Sequence, residues 1–244
     1  MASRNLPNPP TELVGEIDSV FERAAAWINH NGTLVAITIG AVLLLGLALG
    51  IVTSLRERSA QKAQAEVAGV FSAYLTAMGA SPGAAEAPEP ANPELGRQTR
   101  AEYATKLLAA ASAHEGTAAA AEGRLQAAAL LEKNGEAQSA FDARKQAAEN
   151  APRGTAVRAL ALARFAVELE SKGELKAAAA ALEEASEIDS PGQALMLADA
   201  ARVLADLGER ERAVALYRRA EELGVDAIPA HVKARMQALL AGAE

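Results

Sequence analysis

The chain has 244 residues, 24 Lys+Arg against 31 Asp+Glu, a net charge of −7 and no Cys. That excludes disulfides and Cys-ligated metal centres, and it argues against nucleic-acid binding, which needs a basic face. Half of the residues are apolar, too many for a disordered polyanion, and Ala makes up roughly a quarter while aromatics are only 3 %, so an all-α chain is expected.

Residues 1–10 hold three Pro and are expected to be disordered. Within residues 1–31, Leu13, Ile17, Val20, Phe21, Ala24, Trp27 and Ile28 share one helical face, and Glu12, Glu16, Asp18, Glu22 and Arg23 share the other. Thr11 caps the start of this amphipathic helix and Asn31-Gly32 supply a stop. The acidic polar face favours a docked partner over anionic lipid, while Trp27 falls where interfacial aromatics sit.

Residues 32–55 are expected to form a single transmembrane anchor. The run 33–55, TLVAITIGAVLLLGLALGIVTSL, carries no charge over 23 residues, long enough to cross a hydrocarbon core of about 30 Å. It is too long, and starts too late, for a cleavable signal peptide. Gly46 and Gly50, like Ala36 and Gly40, stand four apart, a spacing that lets another helix approach closely. Arg56, Arg58 and Lys62 follow the run while Arg23 precedes it, so the charge count favours an external N-terminus and a cytoplasmic C-terminal domain.

Residues 56–96 read as a juxtamembrane helix, with Val67, Val70, Phe71, Tyr74, Leu75 and Met78 on one face, followed by a mobile, solvated loop over 79–96 that holds four Pro. From 97 to 244 helical patterns are broken only by short turns. Aligning Gly135, Gly173 and Gly208, which lie 38 and 35 residues apart, exposes a repeat. Leu131, Leu169 and Leu204 stand four before each Gly, and Ala127, Phe165 and Ala200 eight before. Ala140, Ala178 and Ala213 stand five after, and Ala147, Ala185 and Ala220 follow seven further on. Gly ends the first helix in a left-handed conformation, Ala lets paired helices close up, and Leu fills the layer between pairs. This spacing is the signature of a tetratricopeptide-like α-solenoid. LADLGERERAVALYRRAEEL, with Tyr217, matches the pattern best; Leu182 and Arg144 occupy the aromatic position in the other two units. Residues 97–120 are expected to cap one end of the stack and 227–241 the other.

The whole layout resembles the bacterial family of YfgM-like membrane-anchored tetratricopeptide proteins, ancillary subunits of the SecYEG translocon. The resemblance rests on the order of parts: an amphipathic helix ending at Asn31-Gly32, one anchor, a helix with a Pro-containing loop, Gly-containing helical pairs, and a closing helix with Pro229 at its start. It implies a bacterial inner-membrane protein with its N-terminus in the cytoplasm and its repeat domain in the periplasm. That opposes the charge count. The count is small and includes Glu57, so the orientation implied by the family is the expectation adopted.

Catalytic chemistry is not expected, nor any metal or cofactor. His30, His114 and His231 are far apart and have no ligand spacing to acids. Phosphate loops and dinucleotide fingerprints are missing from the sequence. The pairs Glu183-Glu184 and Glu221-Glu222, with Lys176, Arg218 and Arg219 nearby, read as solvated charge faces. Function is expected to lie in surfaces. In tetratricopeptide stacks the first helix of each pair lines a groove, here through Glu122, Leu125, Ala129, Glu132 and Lys133, then Leu160, Ala163, Val167, Glu170 and Ser171, then Leu195, Ala198, Arg202, Ala205 and Asp206. Only Lys133 and Arg202 are basic, too few to clamp a C-terminal carboxylate. Within the groove Leu125, Leu160, Ala163, Val167, Leu195 and Ala198 make a shallow apolar strip that suits an apolar peptide or partner helix; the alternative is that these residues are self-packed or covered by residues 56–78. Expected partners are membrane proteins through the anchor, SecYEG among them, and protein segments through the groove, with no nucleic acid and no small-molecule substrate. The second reading is a structural organiser of another envelope assembly, for division, secretion or polysaccharide export.

Overall fold

The structure is a computed structural model. It describes Trp27, residues 30–224 and residues 228–241, with side chains except at 34–36, 38–42, 49, 52, 56, 239 and 240. The expected amphipathic helix before the apolar run lies outside the described residues, Trp27 apart. Among the described residues there are nine helices and no strand: α1 Gly32–Ala77, α2 Pro93–Ala113, α3 Ala118–Lys133, α4 Ala137–Asn150, α5 Ala156–Ser171, α6 Leu175–Ser186, α7 Gln193–Asp206, α8 Arg210–Gly224 and α9 Ala230–Ala241. The chain divides into two compact units between Glu57 and Arg58.

In the first unit, Gly32 opens α1 with a helical backbone instead of ending the preceding segment in the left-handed region. The Asn31 backbone and side-chain N–H groups both donate to the Trp27 carbonyl at 2.9 Å. Leu43, Leu44, Leu45, Leu47, Ile51 and Leu55 are 52–68 % exposed. Cβ atoms added at Gly46 or Gly50 would meet nothing within 4 Å, so no helix among the described residues packs on that pair. Among the described residues no helix is long and apolar enough to cross a membrane. The uncharged run 33–55 falls only partly within the described side chains.

The second unit is a stack of helical pairs, a tetratricopeptide-like architecture. Each helix from α2 to α8 packs mainly on its neighbours in sequence, α3 also lies on α5, and α9 lies on α7 and α8. The three aligned turns are the same device. Gly135, Gly173 and Gly208 have φ of 81°, 77° and 82°. The N–H of the following Glu136, Glu174 or Glu209 reaches back to the carbonyl of Leu131, Leu169 or Leu204 at 2.9 Å. This Schellman closure satisfies carbonyls that a helix end would leave bare. The same leucines bury their side chains to 1–6 % exposure, so one residue closes the turn and fills the layer. Ala140, Ala178 and Ala213 then make the first return bonds of the next helices, to the Glu136, Glu174 and Glu209 carbonyls at 3.0 Å. All three, with Ala147, Ala185 and Ala220, are at most 1 % exposed; any larger side chain would push the paired helices apart.

A fourth copy of this turn ends α1. Gly79 has φ of 82° and the Ala80 N–H donates to the Leu75 carbonyl at 2.9 Å. Residues 58–78 therefore join the stack. Val67, Tyr74 and Met78 are buried in one cluster with Leu107 and Leu131, and a Cβ on Gly123 would stand 3.2 Å from Val67 Cγ1. His114, at the α2 C-cap, holds Glu66 through its ring at 2.7 Å.

The Pro-containing loop is solvated along most of its length, and it is tied to the stack near its end through Glu89 and Pro90. The Arg100 guanidinium is buried; its NH1 donates to both Glu89 oxygens at 3.0 Å and its Nε to Asn134 Oδ1 at 2.8 Å. Pro90 sits so close to Gly96 that a Cβ there would meet its Cγ at 3.0 Å. Helix α2 starts at Pro93 because Asn92 Oδ1 caps the Glu94 N–H at 3.0 Å. At the far end, the Pro229 carbonyl accepts from Val232 and Lys233 at 3.0 Å, and α9 closes the stack with Met236 and the preceding Ile228 buried.

Candidate protein-binding groove

The first helices of the pairs, α3, α5 and α7, carry the expected groove positions. Thr117 and Thr155 begin α3 and α5 by accepting from the Ala120 and Arg158 N–H groups. Leu160 is 43 % and Val167 60 % exposed. Ala129 is exposed, and Leu125, Ala163 and Leu195 are half-buried. Ala198 departs from the expectation: it is fully buried in the core with Leu197 and Ala201 and offers no surface. It falls on the stripe of Ala194, Leu197, Ala198 and Ala201, spaced three or four residues apart, that α7 turns to the core.

Leu125, Ala129 and Glu132 of α3 and Leu160 of α5 line a hollow of about 370 Å³ together with Gln126, Arg144 and Arg164. The last three were not among the expected groove residues. Arg144 occupies the core position held by Leu182 and Tyr217 in the other units. Its guanidinium bonds Glu168 Oε1 at 2.6 Å and also Glu132, so its charge is neutralised at the hollow's wall. Gln126 Oε1 is buried without a hydrogen-bond partner among the described residues. Arg164 is exposed, one turn from both Leu160 and Val167, and forms no ion pair among the described residues. Like the expected groove residue Lys133 it is exposed, whereas Arg202 is not.

Arg202 is consumed by its neighbours. Both of its terminal nitrogens bond Glu170, each at 2.8 Å, with Asp199 at 3.6 Å and Asp206 at 3.9 Å. The bond to Glu170 raises the Arg202 pKa, and burial raises that of Asp199 against the pull of Arg202. The ion cluster ties α7 to α5 and leaves no free charge for a ligand. Glu183 and Glu184 likewise staple neighbouring helices, to Arg212 and Arg158 at 2.6 Å each. Among the described residues no three His, Asp or Glu side chains converge as a metal site.

No protein-family model matches the chain, and no curated protein matches it. It is similar to the crystal structure of nearly identical TPR-like repeats of a kinesin light chain protein from Podosopora anserina, at 17 % identity and a TM-score of 0.43, over 62 % of this chain and 82 % of that one. A variant of the same protein with one glutamine replaced by methionine matches over the same shares at 17 % identity and a TM-score of 0.44. The repeat architecture is carried by this chain's own four turns and stacked pairs.

Proposed function

We propose that the chain is a membrane-anchored, non-enzymatic scaffold whose repeat unit docks protein segments on α3 and α5. The observation that carries this is the exposure of Leu160 and Val167 on a helix whose Val157, Ala161, Leu162, Ala166 and Leu169 are all buried. Apolar area left open on an otherwise well-covered helix marks a contact surface. The anchor is supported by the uncharged run 33–55, which lies wholly inside α1 and carries leucines two-thirds exposed; such a helix needs an apolar solvent. The resemblance to translocon-associated proteins makes the Sec channel the first partner to test and the periplasm the expected side for the repeats.

The test is co-purification of the full-length chain in mild detergent. Enrichment of SecYEG supports the translocon reading, and enrichment of a division, secretion or export complex replaces it with the organiser reading. Leu160→Asp with Val167→Asp should strip groove partners while leaving the circular dichroism unchanged; retention of every partner sinks the groove. Alkaline phosphatase fused after Glu244 is active only where its disulfides form, so an inactive fusion reverses the orientation.

A further inference from the structure

The hollow between α3 and α5 joins an uncovered apolar surface to two unmet polar groups. Leu160 is 43 % and Val167 60 % exposed, and Ala129 is exposed. Gln126 and Arg164, both in the lining, stand 38 residues apart, as Gly135 and Gly173 do, so they hold equivalent places on successive first helices. Gln126 Oε1 is buried and accepts no hydrogen bond among the described residues. A buried acceptor left unpaired costs free energy that a ligand's donor returns. Arg164 is exposed and makes no ion pair among the described residues. The hollow's own acid, Glu132, and Glu168, one turn after Arg164, both hold Arg144. Glu122 and Lys133, exposed on α3, fall outside the lining. The charge left open at the hollow is therefore that of Arg164.

These two groups discriminate between kinds of segment. A helix spends its backbone N–H groups internally and brings only side chains to a groove. An extended segment carries unpaired N–H and C=O groups along its edges, so it brings a donor for Gln126 together with its side chains. The same backbone serves the amide in its reversed orientation, because it offers C=O as well as N–H. Arg164 adds a demand for negative charge, met best by a carboxylate that pairs with the guanidinium fork.

We propose that the partner of this groove is an extended segment in which a large apolar residue lies within two positions of an Asp or Glu. The apolar side chain fills the hollow over Ala129 and Leu160, the carboxylate pairs with Arg164, and a backbone N–H donates to Gln126. The inference rests on the reading of α3 and α5 as a docking surface and adds the conformation and the charge of what docks there.

The full-length chain in biotinylated nanodiscs of zwitterionic lipid is panned with a phage library of random nonapeptides, after depletion on empty nanodiscs. Enriched peptides should carry Asp or Glu within two positions of Leu, Ile, Met or Phe more often than the unselected library does. With Arg164→Glu as bait, Lys or Arg should take the place of the acid. An enriched peptide is then synthesised with a fluorescent label, and each of its backbone N–H groups is methylated in turn. One methyl should weaken binding about tenfold by anisotropy. On Gln126→Ala the same methyl should cost less than about twofold, because its partner is gone. Enrichment without an acid bias, an acid bias that persists on Arg164→Glu, a methyl scan with no sensitive position, or a sensitivity unchanged on Gln126→Ala overturns the inference; the last two outcomes indicate a helical ligand. The docking surface itself stands or falls separately, on Leu160→Asp with Val167→Asp, which should abolish capture. Peptides captured equally by that double variant, or no enrichment over empty nanodiscs, overturn both.

Discussion

Leu43, Leu44, Leu45 and Leu47 of α1 are 63–68 % exposed, whereas Leu107, Leu197 and Leu204 of the repeats are at most 1 % exposed. Both sets sit on helices of the same kind of sequence, rich in Ala, Leu and Gly. What differs is spacing. Leucines in succession point in every direction around α1, and no single neighbouring helix can cover them. In the repeats each Leu recurs three or four residues from the next buried position, so a stripe forms and one neighbour covers it. Apolar content alone therefore does not say whether a helix seeks another helix or an apolar solvent; the angular distribution of its large side chains does.

The sharpest way to break this contrast is to truncate one leucine on each side of it. Leu204→Ala should destabilise the repeats by ~2–5 kcal/mol, because the layer cannot collapse onto the void, whereas Leu45→Ala should move the same urea transition by no more than ~0.5 kcal/mol. A comparable shift from both would mean that Leu45 is packed on protein. Next comes charge: Leu44→Arg should impair membrane insertion by ~2.5–3.5 kcal/mol, seen as release at alkaline pH. Unchanged extraction would place 33–55 outside the bilayer. Ala213→Trp should cost ~1–3 kcal/mol by overpacking the α7–α8 pair, and an unshifted melting curve would show that the pair is loose. Gly173→Ala, forced to φ of 77°, should cost ~1–2 kcal/mol.

The smallest effect is electrostatic. Burial raises the Asp199 pKa above its usual 3.8, so the native state holds that proton more tightly than the unfolded chain does. Its contribution to stability is present below the usual value and is lost as pH rises through the raised one. Asp199→Asn should therefore stabilise the fold slightly at pH 7, by less than ~1 kcal/mol given partial solvent screening. The gain should disappear as pH falls below the usual Asp value. A variant less stable than the parent at pH 7 would show that attraction to Arg202 outweighs burial.

The repeats were legible because one local device, Leu with Gly four residues on, performs two tasks at once and so recurs at fixed spacing. Its copy at Leu75 and Gly79 was hidden: the loop before α2 stretches that unit beyond the period of the others. Ala129, Leu160 and Val167 are exposed and Leu125 is half-buried, whereas Ala198 belongs to the buried stripe of Ala194, Leu197 and Ala201, which alignment by turn glycines alone did not separate from the outward positions. Arg144 read as a departure from the aromatic position; only the meeting of α3, α4 and α5 shows it neutralised between Glu132 and Glu168.

The strap made by Glu89, Pro90 and Arg100 bears on how the protein is turned over. A segment rich in Pro, Ala and Glu between two helices is the sort of place where a protease nicks a chain. Here Glu89 is held by a buried guanidinium and Pro90 lies against Gly96, which shelters the end of the segment next to α2, while Ser81, Pro82 and Gly83 stay exposed and mark where a cut is expected. A single cut in it would still leave residues 58–78 seated through Val67, Tyr74 and Met78. The two fragments would travel together in native gels and separate only in denaturant.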